Sequence, residues 1–291
     1  MSSTSIAMPV DSLHGLAIQA ALLPSMAILP MTFLACAFYM AGGSYTWLVL
    51  FRRLPPRPRL VQTLGLMAIL IHGVVLYAEL HGHLGLNLGF FQAASLINWL
   101  ICTFLLLASL RMPLLNLSAG LFPLATLAIL TALLSSRHYV VPDIPKGLMV
   151  HILTSLVAYS LFTVAMVQSL LLWCQQSQLK RRRTAGLIQV LPPLQTMERL
   201  LFDLLLAGML FLTVSLITGF IFVDNIFAQH LAHKTVLSIL SWITFGILLV
   251  GHYRFGWRGL TAVRWTLGGS IMLILAYFGT KFVLQMVLGE V

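Results

Sequence analysis

Leu200-Leu-Phe-Asp-Leu-Leu-Leu-Ala-Gly-Met-Leu-Phe-Leu-Thr-Val-Ser-Leu-Ile-Thr-Gly-Phe-Ile-Phe222 runs 23 residues with a single charge, Asp203. As a helix it rises about 34 Å at 1.5 Å per residue. That exceeds the hydrocarbon core of a bilayer, about 30 Å thick. Lipid offers no partner for backbone N–H and C=O groups, so such a stretch spans as a helix that satisfies its own backbone. Seven further stretches qualify, roughly 24–50, 61–80, 90–110, 114–134, 148–174, 234–251 and 262–288, each bounded by charge, Gly or Pro. The expected fold is all-α: a polytopic membrane helix bundle of about eight transmembrane helices. Pro30 is expected to kink the first.

Composition agrees. The 291 residues are 59% hydrophobic and 8% charged, and mean hydropathy is +0.98. A soluble domain carries roughly 25% charged residues. The net charge of +10 would suggest nucleic acid in a soluble chain. In a membrane protein it reads as basic loops facing an anionic leaflet, with no nucleic-acid partner. Residues 1–23 hold no Lys or Arg, and Asp11 and His14 interrupt their apolar character, so no cleaved signal peptide is expected. They form an N-terminal periplasmic segment ahead of one transmembrane domain, 24–291.

Orientation follows from Lys and Arg. The loops after spans 1, 3, 5 and 7 hold Arg52, Arg53, Arg57 and Arg59, then Arg111, then Lys180, Arg181, Arg182, Arg183 and Arg199, then Arg254, Arg258 and Arg264. These are thirteen of the seventeen basic residues, all on one side. The asymmetry makes that side cytoplasmic and puts both termini on the outer side.

Polar groups inside spans are costly and point to function. His72 lies near the middle of span 2, with Glu79 seven residues on and on the same face. His151 opens span 5 and His252 closes span 7. Neutral imidazole is a good axial ligand for haem iron. Helical rise puts His72 about 12 Å and His151 about 4–5 Å below the outer surface. The difference of about 8 Å is one that a tilted haem b between the two could bridge. His72 and His252 differ by about 15 Å, so His252 needs another partner or another role, such as an interfacial anchor. Each imidazole has a bland alternative as a satisfied polar group of the core or interface. His81, His83, His230 and His233 crowd the outer loops as a weaker metal or haem-entry signal, and His14 and His138 read as surface residues. Arg258, in Gly256-Trp-Arg-Gly259, and Lys281, near Tyr277 and Gln285, are candidates to pair a haem propionate. Their alternatives are a lipid-facing turn and a snorkelling lysine. Cys36, Cys102 and Cys174 sit in apolar runs with no Cys-x-x-Cys pair, so they read as packing residues. There is no paired-carboxylate site and no nucleophile–base spacing, so no enzyme is expected.

Longer motifs carry a family resemblance. They are Gly147-Leu-Met-Val-His151 through Tyr159, Pro192-Pro-Leu-Gln-Thr-Met-Glu198-Arg199 and Lys234 through Trp242, then Gly251-His252-Tyr253, Gly256-Trp-Arg-Gly259 and Leu275-Ala-Tyr277-Phe-Gly279. Together they resemble the cytochrome c assembly family of membrane proteins, the haem-handling CcsA, CcmC and CcmF type, and within it the small YpjD branch. The resemblance covers roughly residues 25–290. It implies haem binding by histidines in a multi-helix membrane fold, with His151 as the family's outer histidine and His252 as the histidine before the basic turn. It also implies a cytochrome c maturation component, or another inner-membrane protein, as a partner. The family's tryptophan-rich outer loop has no counterpart in Val223 through His233, and no histidine follows the last span. The resemblance therefore supports haem binding within the membrane more than haem delivery. A transporter component, hinted at by Gly42-Gly43 and Gly268-Gly269, and a non-haem accessory subunit of a partner membrane protein are the alternatives.

Overall fold

The computed structural model describes residues 10–82, 85–87, 89–110, 112–135, 140–141, 145–182, 191–222 and 229–279, with the backbone alone at 10–27, 81–87, 140–141 and 229–232. Among these, eight helices are long and apolar enough to cross a membrane. They are α1 (Val10–Leu50), α2 (Pro58–Leu80), α3 (Phe90–Ser109), α4 (Ser118–Leu134, entered through a 3-10 turn at Leu115–Leu117), α5 (Lys146–Lys180), α6 (Leu194–Phe222), α7 (Gln229–Phe255) and α8 (Leu260–Ile274). A π-helical turn, Leu275–Gly279, continues α8. The expected spans are present. The helix of α1 already begins at Val10 and runs on through Pro30. Of the expected segment 1–23, residues 1–9 lie outside the described residues, as do His83, His138 and Lys281.

The helices pack as two groups of four. In the first, α1 packs on α2 and α4, and α3 closes the group against both. In the second, α5 packs on α6 and α8, and α7 joins α6 to α8. The α3–α5 contact links the halves. The first core holds Tyr39, Ile101, Leu105, Leu121 and Phe122. The second centres on Phe162 and Phe245, stacked with ring centroids 4.0 Å apart and planes 4° apart. Large apolar side chains such as Leu70, Ile217 and Ile221 cover the outside. That outward apolar surface is what a lipid solvent demands.

Both Gly-Gly pairs lie inside continuous helix. A Cβ on Gly42 would stand 3.0 Å from the Phe122 ring, and one on Gly269 2.8 Å from Phe245. At Gly42 and Gly269 small residues thus allow close helix approach.

One feature carried no sequence signal. Strands β1 (His81–Gly82), β2 (Gly85–Asn87) and β3 (Val140–Val141) form a small antiparallel sheet in the order β1-β2-β3, with Leu86 opposite Val141. It ties the α2–α3 loop to the α4–α5 loop. Strands of two or three residues are too short to show an alternating pattern. The sheet marks one end of the bundle, and the Arg-rich loops mark the other, the basic end.

Candidate functional site

Pro145 precedes the first turn of α5, and His151 follows on the second turn, at the sheet end. Opposite it, α6 carries Gly219. A Cβ there would lie 3.0 Å from Cε1 and 3.1 Å from Nδ1 of His151, so the absent side chain is what gives the imidazole its room. Nδ1 is 2.7 Å from the backbone oxygen of Ser215, with Ser215 Oγ at 3.4 Å. A carbonyl oxygen only accepts, so Nδ1 carries the proton and donates. The lone pair is then on Nε2, which makes no hydrogen bond among the described residues. The ring is half-buried. A protonated Nδ1 held by a backbone carbonyl, with Nε2 open, is the usual arrangement of a metal-ligating histidine.

Two other elements close on this region. Lys234, near the start of α7, places its Nζ 5.1 Å from the centroid of the Tyr277 ring, and like His151 it is the sixth residue of a helix that begins at the sheet end. Tyr277 lies in the π-helical turn and packs on Tyr159 of α5 with centroids 5.4 Å apart. The Tyr159 hydroxyl donates to the Leu273 carbonyl at 2.7 Å. The site is thus built from α5, α6, α7 and the turn after α8.

His72 is arranged differently. Its side chain is 0% exposed. Nδ1 is 3.3 Å from the Tyr39 hydroxyl on α1, and Nε2 is 3.0 Å from Ser95 Oγ on α3. Both ring nitrogens are engaged, and the imidazole pins three helices of the first half together. The expected His72–His151 bridge can be compared with the packing. Ser160 of α5 meets the Ile97 carbonyl of α3. Nine residues from Ser160 to His151 span about 13 Å, and two from Ile97 to Ser95 about 3 Å. Because α3 and α5 run in the same direction, His151 sits about 10 Å nearer the sheet end than His72. No described hydrogen bond or ring contact joins them.

His252 closes α7 at the basic end. Its Nδ1 is 2.8 Å from the Trp257 carbonyl, so by the same logic Nε2 carries the lone pair. Its ring stacks on Phe202 of α6, with centroids 3.4 Å apart and planes 13° apart. The turn depends on glycine. Gly256 and Gly259 have φ of 67° and 61°, and Gly256 N–H donates to the His252 carbonyl, an αL helix ending. A Cβ on Gly251 would stand 2.4 Å from the Trp257 ring. Glu198 of α6 accepts from Gly259 N–H at 2.8 Å, which places a carboxylate at the N-terminus of α8. Arg258 is exposed, with a 3.5 Å contact from Nε to the Gly256 carbonyl. Thirteen residues of α6 separate Phe202, under His252, from Ser215, beside His151, or about 20 Å. These two imidazoles cannot reach one iron.

Among the described residues no three His, Cys, Asp or Glu side chains gather into a metal-binding group. A porphyrin brings its own four equatorial nitrogens, so one open imidazole is enough to begin a haem site. Sequence reasoning gave no role to Lys234, Ser215 or Glu198. A lysine inside an apolar span close to a candidate ligand was the legible signal for Lys234. A backbone acceptor such as Ser215 O leaves no trace in sequence.

Fold and site define a polytopic membrane protein with ligand-competent imidazoles at both ends of its second helical half. More narrowly, the chain belongs to the cytochrome c assembly family: the family model described as cytochrome C assembly protein matches residues 59–288, which include His72, His151, Lys234 and His252. The inner membrane protein YpjD of Escherichia coli (strain K12) is 32% identical over 226 residues, 77% of this chain and 86% of the relative. An uncharacterized 28.8 kDa protein in the nifR3-like 5′ region of Azospirillum brasilense is 38% identical over 141 residues, 48% of this chain and 52% of that protein. Protein HemX of Brevibacillus brevis is 25% identical over 134 residues, 45% and 49% of the two chains. No solved structure matches.

Proposed function

We propose that this chain is a non-enzymatic haem-binding protein of the bacterial inner membrane, related to cytochrome c maturation, and that His151 ligates a b-type haem. The observation that carries this reading is the His151 imidazole, with Nδ1 fixed by the Ser215 carbonyl and Nε2 open. His252 shares that hydrogen-bonding pattern at the basic end and is the candidate for a separate site, with Arg258 beside it for a propionate or a lipid phosphate. His72, with both nitrogens engaged, holds the first half together. Bound haem would supply an iron porphyrin able to change redox state or pass to a partner. The Arg-rich end faces the cytoplasm by the positive-inside rule, which puts His151 on the periplasmic side. Kinship with an inner membrane protein supports the location, and a cytochrome c maturation component or another inner-membrane protein is the expected partner.

The test is haem content. Protein purified in detergent and assayed as its pyridine haemochrome should contain b-type haem, or take up haemin to about one per chain. A protein that stays colourless after haemin addition excludes the reading and leaves a scaffold or transport component of this family.

A further inference from the structure

Lys234 is the residue whose energetics the site leaves open. It lies on the second residue of a membrane-crossing stretch, His233–Phe255. Its side chain is half-buried, and its ammonium stands over the face of Tyr277. Among the described residues it forms no ion pair. Withdrawing an ammonium from water is unfavourable to the extent that it is withdrawn. The cation–π contact with Tyr277 offsets part of that cost, and an anionic partner would offset more. A lysine at this depth normally snorkels its ammonium outward along the helix. This one stands over Tyr277, at the end of the bundle where His151 also lies.

The turn that carries Tyr277 is built for this. Leu275–Gly279 is π-helical, a local widening of the helix frequent at functional sites. The ring is wedged between Tyr159 and Phe278, and Phe278 is held in turn by Phe90 of α3. Three elements, the turn, α5 and α3, thus fix one aromatic face under one ammonium, at the same end of the bundle as an imidazole that presents an open nitrogen.

We propose that Lys234, braced by Tyr277, is an anion-recognition residue that pairs with a carboxylate of the ligand that His151 coordinates. For a porphyrin that carboxylate is a propionate. The inference rests on the haem reading above and adds the chemical handle by which the ligand is oriented: metal to Nε2 of His151, carboxylate to Nζ of Lys234. Lys281, a candidate for the same task from sequence, lies outside the described residues.

The experiment titrates the full-length protein in detergent with haemin and with haemin dimethyl ester, whose propionates carry no charge, and follows the Soret band. Wild type should bind haemin at least about tenfold more tightly than the ester. Lys234→Met and Lys234→Gln should bind the two alike and keep the wild-type band shape, because iron ligation is untouched. Lys234→Arg should restore the preference. Equal binding of both probes by wild type, or a preference that survives in Lys234→Gln, overturns the proposal and leaves the haem reading intact. Wild type that binds neither probe overturns the haem reading, and this inference with it.

Discussion

His72 and His151 are the same side chain in the same membrane, and their surroundings leave different atoms open. His72 lies in the first four-helix half with both nitrogens occupied, by Tyr39 and Ser95, and no exposure. His151 lies in the second half with one nitrogen occupied, by a backbone carbonyl, and a glycine where a neighbouring side chain would stand. A buried imidazole with two partners contributes cohesion, since each buried hydrogen bond adds about 1 kcal/mol and an orphaned partner costs about 1–3 kcal/mol. An imidazole oriented through Nδ1 alone gains little cohesion and keeps a ligand atom open. What distinguishes the two in the structure is the count of engaged nitrogens.

The contrast can be broken most forcefully at His72. His72→Ala removes a ring from between α1, α2 and α3 and orphans the Tyr39 and Ser95 hydroxyls. It should destabilise the protein by about 2–4 kcal/mol, seen as a lower thermal unfolding midpoint in detergent. Any haem spectrum should be unchanged per folded molecule. Loss of the spectrum without loss of stability would exchange the roles assigned to the two residues.

A smaller effect is expected at Gly219. Gly219→Ala puts a methyl group 3.0 Å from Cε1 of His151 and forces the ring to give way. Haemin affinity should fall several-fold while the unfolding midpoint moves little. Unchanged affinity would mean that the ring's present position is not the one that binds.

The smallest effect sharpens the comparison from the basic end. Glu198→Gln removes the charge at the N-terminus of α8 but keeps an acceptor for Gly259 N–H. It should cost about 0.3–1 kcal/mol and leave haem binding at His151 untouched, since the two are about 20 Å apart along α6. A changed haem spectrum would place the haem at the His252 end instead.

How much of this was legible in sequence follows from what each feature depends on. The eight spans were, because lipid forces about twenty apolar residues per crossing and nothing subtler decides it. The apolar run from Leu200 to Phe222 needs no tertiary context to be read. His151 and His252 stood out as candidates from position and family resemblance. The split between His72 and His151 was not legible, because it is set by Tyr39, Ser95 and a carbonyl of Ser215, groups 23 to 64 residues distant in the chain and unremarkable in type. The depth estimate for His72 and His151 agreed with the packing to about 2 Å, since helical rise is fixed. Depth says nothing about partners. The Glu198–Gly259 contact illustrates the same limit: both residues stood in recognisable motifs, but only the fold shows that the motifs meet.

The measurement that bears most directly on the central claim is the visible spectrum of His151→Gly protein with haemin, before and after adding free imidazole. The account predicts that the Soret spectrum that wild type shows with haemin is lost in the variant and returns when imidazole enters the space the side chain left. A variant whose spectrum matches wild type without imidazole would show that the iron takes its ligand elsewhere, and His151 would then be a polar strut between α5 and α6.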